Sequence, residues 1–291
     1  MGLNGSIPPE IGNLSFLVSL DLSWNRLHGG LPKDICIHNK LPRLKELQLT
    51  FNHLEGEIPV TLGECQQLEI LDLSYNKFGG HVPQEIGNIT RLTKLDLHWN
   101  NLSGTIPKEI GLLSNLEFMD LGSNKLSGSI PREVGNMTAL IRLWLDSNSL
   151  SGNIPREIGG LNKLEMMWSD DNKLSGSIPR EMWNVTTLLQ LRIKNNSLSG
   201  TMSQEIGHLD SLEWLDMSYN KFSGPLPTSI FNMTSLEGIQ LSSNTYSGAL
   251  PSEIGNMKAL RDLYLDNNVL TGKISNCCIL AMNIPRFHIA L

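Results

Sequence analysis

The side chains able to do chemistry are spread evenly along the 291 residues rather than gathered into motifs. The carboxylates Asp21, Asp72, Asp96, Asp120 and Asp216 recur at one position of a periodic frame. Close carboxylate pairs would suggest acid–base work, but a column that repeats with the frame is explained by repetition of a structural unit. The seven histidines, His28, His38, His53, His81, His98, His208 and His288, lack metal-ligand spacing and read as solvated surface groups. The four cysteines, Cys36, Cys65, Cys277 and Cys278, contain no C-x-x-C pair. Adjacent cysteines bridge each other only under strain, so no disulfide framework is expected and the cysteines are read as free thiols.

Motifs for phosphate and acyl chemistry are missing. No two glycines are separated by a single residue, which excludes a G-x-G-x-x-G loop, and neither a P-loop nor H-E-x-x-H occurs. No serine has the G-x-S-x-G context of a nucleophile elbow. The residues therefore predict no enzymatic activity, no cofactor and no metal. A formal charge of −6 argues against nucleic acid or an anionic membrane as partner, since neither attracts a net anion. The opening residues lack the apolar core of a secretory signal, and no apolar run is long enough to span a bilayer, so neither export signal nor anchor is expected in this chain.

What organises the chain is a repeat, L-x-x-L-x-L-x-x-N-x-L-S-G-x-I-P. Its asparagines are Asn25, Asn52, Asn76, Asn100, Asn124, Asn148, Asn172, Asn196, Asn220, Asn244 and Asn268, spaced by 24 residues after a first step of 27, where Cys36 to Pro42 carries an insertion. In Leu92-x-x-Leu95-x-Leu97 the alternating leucines face one side of a short strand and the residues between them face the other. Asn100 follows, with an amide able to donate and accept where the strand turns away. The Ser103-Gly104 pair supplies a turn, Ile106-Pro107 begins an extended piece, and Lys108-Glu109-Ile110-Gly111 forms one helical or 3₁₀ turn. One such coil cannot bury its own leucines, whereas a stack of coils can. The expected fold is α/β: a right-handed leucine-rich-repeat solenoid with a concave parallel sheet and short 3₁₀ or α turns on the convex side. Residues 1–275 are expected to form one uncapped repeat domain of about eleven repeats, and 276–291 an irregular tail.

Over residues 3–275 the frame resembles the plant-specific leucine-rich repeats of receptor-like kinases and receptor-like proteins, because L-S-G-x-I-P follows the strand motif in nearly every repeat. The stretches Leu31-Pro-Lys-Asp-Ile-Cys36, Gly63-Glu-Cys65-Gln-Gln-Leu68 and Ile230-Phe-Asn-Met-Thr-Ser-Leu236 look like immune-receptor ectodomains, the flagellin-receptor group among them. The resemblance implies a truncated receptor ectodomain that senses a peptide or protein ligand in signalling or defence. It also implies a leucine-rich-repeat co-receptor as second partner, and a parent protein at the extracellular face of the plasma membrane. Cysteine caps, membrane span and kinase domain are missing from the chain, whose own location stays open. Two alternatives stand beside this reading. One is a secreted inhibitor of a microbial cell-wall-degrading enzyme, resembling polygalacturonase inhibitors. The other, more remote, is an ice-binding repeat protein, which would want an unbroken row of Thr, Ser or Asn.

The outward residues of rows six to nine are the candidate recognition face: Arg142, Trp144 and Asp146; Trp168 and Asp170; Gln190, Arg192 and Lys194; Trp214 and Asp216. Aromatics interleaved with both charge signs combine stacking area with orienting hydrogen bonds. In peptide-sensing relatives an Arg-x-Arg pair captures the ligand's terminal carboxylate. Only Arg192 fits that pattern, with Gln190 in the first arginine's place and Lys194 one column over. Trp24, Phe51, Tyr75 and Trp99, just before the ladder asparagines, are read as covers of the strand ends. Ser169 replaces a core leucine and Met202-Ser203 replaces Ile-Pro, so local loosening is expected there. Eight N-x-S/T sequons, at Asn4, Asn13, Asn88, Asn101, Asn136, Asn184, Asn195 and Asn232, mark candidate glycosylation sites. Five of them fall on the convex position of their repeats.

Overall fold

The computed structural model describes residues 2–272 and the backbone of 286–288, so Cys277, Cys278 and most of the expected irregular tail lie outside the described residues. It divides into two compact units, Met1–Leu150 and Ser151–Leu291.

Within each unit, short parallel strands stack in register at the L-x-L positions. In the first unit these are Ser19–Asp21, Glu46–Gln48, Ile70–Asp72, Lys94–Asp96, Phe118–Asp120 and Arg142–Trp144. In the second they are Met166–Trp168, Gln190–Arg192, Trp214–Asp216, Gly238–Gln240 and Asp262–Tyr264. Arg286–His288 adds a further parallel strand beside Asp262–Tyr264, within the segment expected to be irregular. The leucines between the outward residues, among them Leu47, Leu71, Leu95, Leu143, Leu191 and Leu215, are completely buried. Each such side chain contributes about 1.5–3 kcal/mol by leaving water.

The asparagine ladder interlocks neighbouring coils. Asn76 donates from Nδ2 to the carbonyls of Leu73 (3.2 Å) and Ser74 (3.0 Å) in its own coil and of Leu49 (2.9 Å) in the coil before. Its Oδ1 accepts the Leu54 N–H at 3.0 Å. Asn124, Asn220 and Asn244 repeat the pattern. To aim the amide inward, the preceding residue takes a left-handed conformation in every coil, from Trp24 (φ 59°) to Asn267 (φ 55°). That conformation costs an L-residue roughly 1–2 kcal/mol, and the amide's hydrogen bonds, at about 0.5–1.5 kcal/mol each, offset it.

The L-S-G segments, read from sequence as simple turns, instead pair as a second parallel ladder. In the first unit Arg26–Gly29, His53–Glu57 and Lys77–Gly79 pair, as do Ser103–Thr105 and Lys125–Gly128. In the second unit Lys173–Gly176 through Val269–Thr271 do the same. Gly104 shows why glycine sits here: its φ is +75°, and a β-carbon would stand 2.3 Å from His81 Nδ1.

The remaining side of each coil is a 3₁₀ turn such as Lys108–Leu112, entered through a proline in extended conformation. Where Ser203 replaces that proline, its backbone (φ −74°, ψ 150°) keeps the same conformation and its Oγ accepts the Glu205 N–H at 3.2 Å. Met202 is buried in the isoleucine's place. The loosening expected here is therefore absent from the backbone. No helix among the described residues is long and apolar enough to cross a membrane.

One sequence expectation fails outright. Cys36 and Cys65 form a disulfide with Cα atoms 5.5 Å apart, across a separation of 29 residues. Cys36, which enters the turn Ile37–Asn39, and Cys65, which closes the 3₁₀ turn Val60–Glu64, lie side by side only because coils stack, a proximity that spacing along the chain does not reveal.

Candidate ligand-binding face

In the second unit the strand register sets Trp168, Arg192, Asp216, Gln240 and Tyr264 in one outward column, with Met166, Gln190, Trp214, Gly238 and Asp262 in the next. Arg192 Nη2 lies 2.6 Å from Oδ2 of the buried Asp170, and its guanidinium sits 4.8 Å from the Trp168 ring centroid. Asp170 Oδ1 accepts the Lys194 N–H at 2.9 Å. Burial pushes the Asp170 carboxyl up to about 6, outweighing the Arg192 charge that pulls the other way.

The Lys194 ammonium lies 5.6 Å from the Tyr219 ring centroid. Asp216 is buried and accepts from Ser218 N (3.0 Å) and Ser218 Oγ (2.6 Å). Trp214 covers Gly238, where a β-carbon would stand 2.3 Å from Trp214 Cε3. Gln190, Asp171 and Asn195 flank the group, with Asn195 donating to Asp171 at 2.7 Å. Of the seven expected residues of rows seven to nine, Trp168, Gln190, Arg192, Trp214 and Asp216 thus lie on three adjacent strands, and Asp170 and Lys194 follow two residues beyond the ends of theirs. The expected carboxylate clamp takes another form: Arg192 is matched by Asp170 and Lys194 leans on Tyr219, so a ligand carboxylate would have to share Arg192 with Asp170.

In the first unit Arg142 is exposed and Trp144 meets Phe118 edge-on at 5.0 Å between centroids. Asp146 points into a cluster that sequence reasoning missed. A β-carbon on Gly122 would stand 2.9 Å from Asp146 Oδ1, 3.0 Å from His98 Nδ1 and 3.1 Å from Asp120 Oδ1, so the missing side chain leaves room for all three groups. The Asp120 carboxylate, 3.4 Å from the ring nitrogen, holds the His98 pKa above its ordinary value against the effect of burial. His98 is mostly buried, unlike the exposed His28, His38, His53, His81 and His208, and the expectation of a solvated histidine is corrected here.

Two coils earlier Lys94 bridges Asp72 (2.7 Å) and Asp96 (3.5 Å). Burial, then the Asp72 and Asp120 charges, push Asp96 up to about 6. The repeating aspartates were visible in the sequence. Their electrostatic coupling was not, because it depends on strands 24 residues apart lying in register.

Trp24, Phe51 and Tyr75 form a continuous stack, with ring centroids 3.8 and 4.1 Å apart, and Trp99 joins it at 5.4 Å. Trp24 and Trp99 remain exposed. All eight sequon asparagines are also exposed, and Asn13, Asn88, Asn136, Asn184 and Asn232 each close a 3₁₀ turn.

Parallel ladders, an inward asparagine in each coil and 3₁₀ turns define a leucine-rich-repeat protein. Residues 49–202 match the family model described as leucine-rich repeat region, and 16–37 and 211–233 match single leucine-rich repeats; the chain belongs to this family.

Among solved structures it is similar to the plant peptide hormone receptor RGFR1 in complex with RGF2, at 35% identity and TM-score 0.80, covering 95% of this chain and 47% of that one. It is also similar to the Arabidopsis receptor kinase HAESA in complex with the peptide hormone IDA and the co-receptor SERK1, at 30% identity and TM-score 0.86, covering 98% and 51%. A curated relative, the LRR receptor-like serine/threonine-protein kinase GSO2 of Arabidopsis thaliana, is 42% identical over 69 residues, which is 24% of this chain and 5% of the relative. The chain therefore spans about half the length of these solved receptor structures and a small part of the kinase.

Proposed function

We propose that this chain is a ligand-sensing segment of a plant receptor ectodomain, binding an extracellular peptide or protein along its outward strand face. The observation that carries the reading is the Trp168–Arg192–Asp170 arrangement in a fold shared with receptors solved with peptide hormones. Trp168, Trp214 and Tyr219 offer aromatic area at low conformational cost, while Arg192, Lys194 and Gln190 orient polar ligand groups. Row six, Arg142, Trp144 and Asp146, is proposed as a ligand-contacting patch of the first unit. A leucine-rich-repeat co-receptor is the proposed second partner, by analogy with the HAESA complex. The exposed sequons support an extracellular setting for the parent protein.

The test is binding of a panel of synthetic secreted plant peptides to the immobilised chain, compared with the Trp168→Ala/Arg192→Ala double variant. Binding lost in the variant, with a native circular-dichroism spectrum and cooperative melting well above the assay temperature, supports the face. Equal capture by both proteins sinks it.

A further inference from the structure

Three successive 3₁₀ turns of the first unit, Val60–Glu64, Gln84–Asn88 and Lys108–Leu112, line an open surface cavity of about 570 Å³. The turns stack closely because Gly63 and Gly87 carry no side chain: a β-carbon would stand 2.5 Å from the Glu85 carbonyl oxygen at Gly63 and 2.3 Å from that of Glu109 at Gly87. The cavity is lined by Val60, Leu112, Asn88 and Thr90 among others. Val60 and Leu112 are each 56% exposed.

Both apolar residues are departures from the repeat. The position of Val60 carries Gln84, Lys108, Arg132, Arg156 and Arg180 in the following coils, and that of Leu112 carries Glu64, Asn88, Asn136, Asn184 and His208 in neighbouring ones. Midway between the two departures stands Asn88-Ile89-Thr90, a complete sequon whose asparagine and threonine both line the cavity. Asn88 is exposed at the end of its turn, and its carboxamide makes no hydrogen bond among the described residues.

We propose that Asn88 is N-glycosylated and that the first sugars of this glycan lie in the cavity, covering Val60 and Leu112. An N-acetylglucosamine ring presents an apolar C–H face and an acetamido methyl beside its hydroxyls. It therefore suits a wall of Val60, Leu112 and Gly87 bordered by Glu64, Gln66 and Glu85. The volume is that of an ordinary small-ligand pocket. In the covalent step Nδ2 of Asn88 bonds to the anomeric carbon of the first sugar. The bond from that carbon to the diphosphate of a lipid-linked oligosaccharide donor breaks, the diphosphate leaves, and the amide proton passes to the transferring enzyme. The inference rests on the extracellular reading above.

The experiment is secretion of the full chain from a plant or insect cell, with glycopeptide mass spectrometry at every sequon. Hydrophobic-dye binding and aggregation are then compared for wild type, Asn88→Gln, Thr90→Ala and the distant Asn184→Gln. The expected results are an occupied Asn88, and raised dye binding and aggregation in both Asn88→Gln and Thr90→Ala but not in Asn184→Gln. Adding Val60→Thr and Leu112→Ser to Asn88→Gln should restore wild-type behaviour, and trimming the glycan to a single sugar should preserve it. Glycan on other sequons with Asn88 bare overturns this inference alone, as does an Asn88→Gln protein indistinguishable from Asn184→Gln, which would leave the patch open to a protein partner. Bare asparagines at every sequon would overturn the extracellular reading with it.

Discussion

Arg192 holds Asp170 at 2.6 Å across two adjacent strands, yet the carboxyl it pairs with stays near a pKa of about 6 because burial opposes its ionisation. A raised carboxyl pKa in the folded state means that the native chain keeps its proton longer than the unfolded chain does. Stability contributed by this group is therefore present at low pH and lost as pH rises from about 4 through about 6. Arg192 limits that loss. Replacing it with Met should cost about 1–2 kcal/mol at pH 8, discounted for the partly exposed guanidinium, and much less at pH 5. Thermal melts at the two pH values measure this, and an equal shift at both would contradict the assignment.

Asp96 carries the same sign: burial again leads, and the charges of Asp72 and Asp120 on neighbouring strands add to it. Asp96→Asn should stabilise the protein by about 1–3 kcal/mol above pH 7, and by little at pH 4, where the wild-type group is already protonated. The amide oxygen still accepts the His98 N–H, which the carboxylate accepts at 3.2 Å. Chemical denaturation at both pH values is the measurement.

Removing Asn76 strands the Leu54 N–H inside the stack, while the Leu49 carbonyl keeps only the Asn52 Nδ2 donor at 3.0 Å. Asn76→Ala is expected to lose about 1–3 kcal/mol, the cost of leaving a buried backbone donor unpaired. Asn25→Ala, at the exposed first coil, should lose clearly less, because water can reach the Leu3 N–H that its Oδ1 now accepts. Urea titrations of the two variants would separate them.

The Cys36–Cys65 link closes a loop of 29 residues. Reducing it, or replacing both cysteines with serine, should lower stability by about 3–4 kcal/mol through the freed entropy of the unfolded chain. Mass spectrometry after thiol alkylation of the unfolded protein checks that the bond exists at all, and free alkylation of both cysteines would refute it.

Ser169 occupies a position that is leucine in most coils. It is fully buried, and its Oγ has no hydrogen-bond partner among the described residues. Ser169→Ala should raise stability by about 1 kcal/mol by removing a desolvated hydroxyl. A melting temperature that falls instead would point to a polar partner for that hydroxyl.

The frame, the buried leucines, the ladder asparagines and the prolines opening the 3₁₀ turns could all be read from the chain, because each is a local rule repeated every 24 residues. So could the grouping of Trp168, Arg192 and Trp214, since a period of 24 implies which residues become neighbours. Several features needed the tertiary structure. These were the disulfide between Cys36 and Cys65, the partner that occupies Arg192, the cluster of His98, Asp120 and Asp146 around Gly122, and the cavity that joins Val60, Asn88 and Leu112. Each depends on how far one coil stands from the next and on how much water remains between them. Burial and distance set charge coupling and cavity shape, and neither quantity is carried by residue spacing alone.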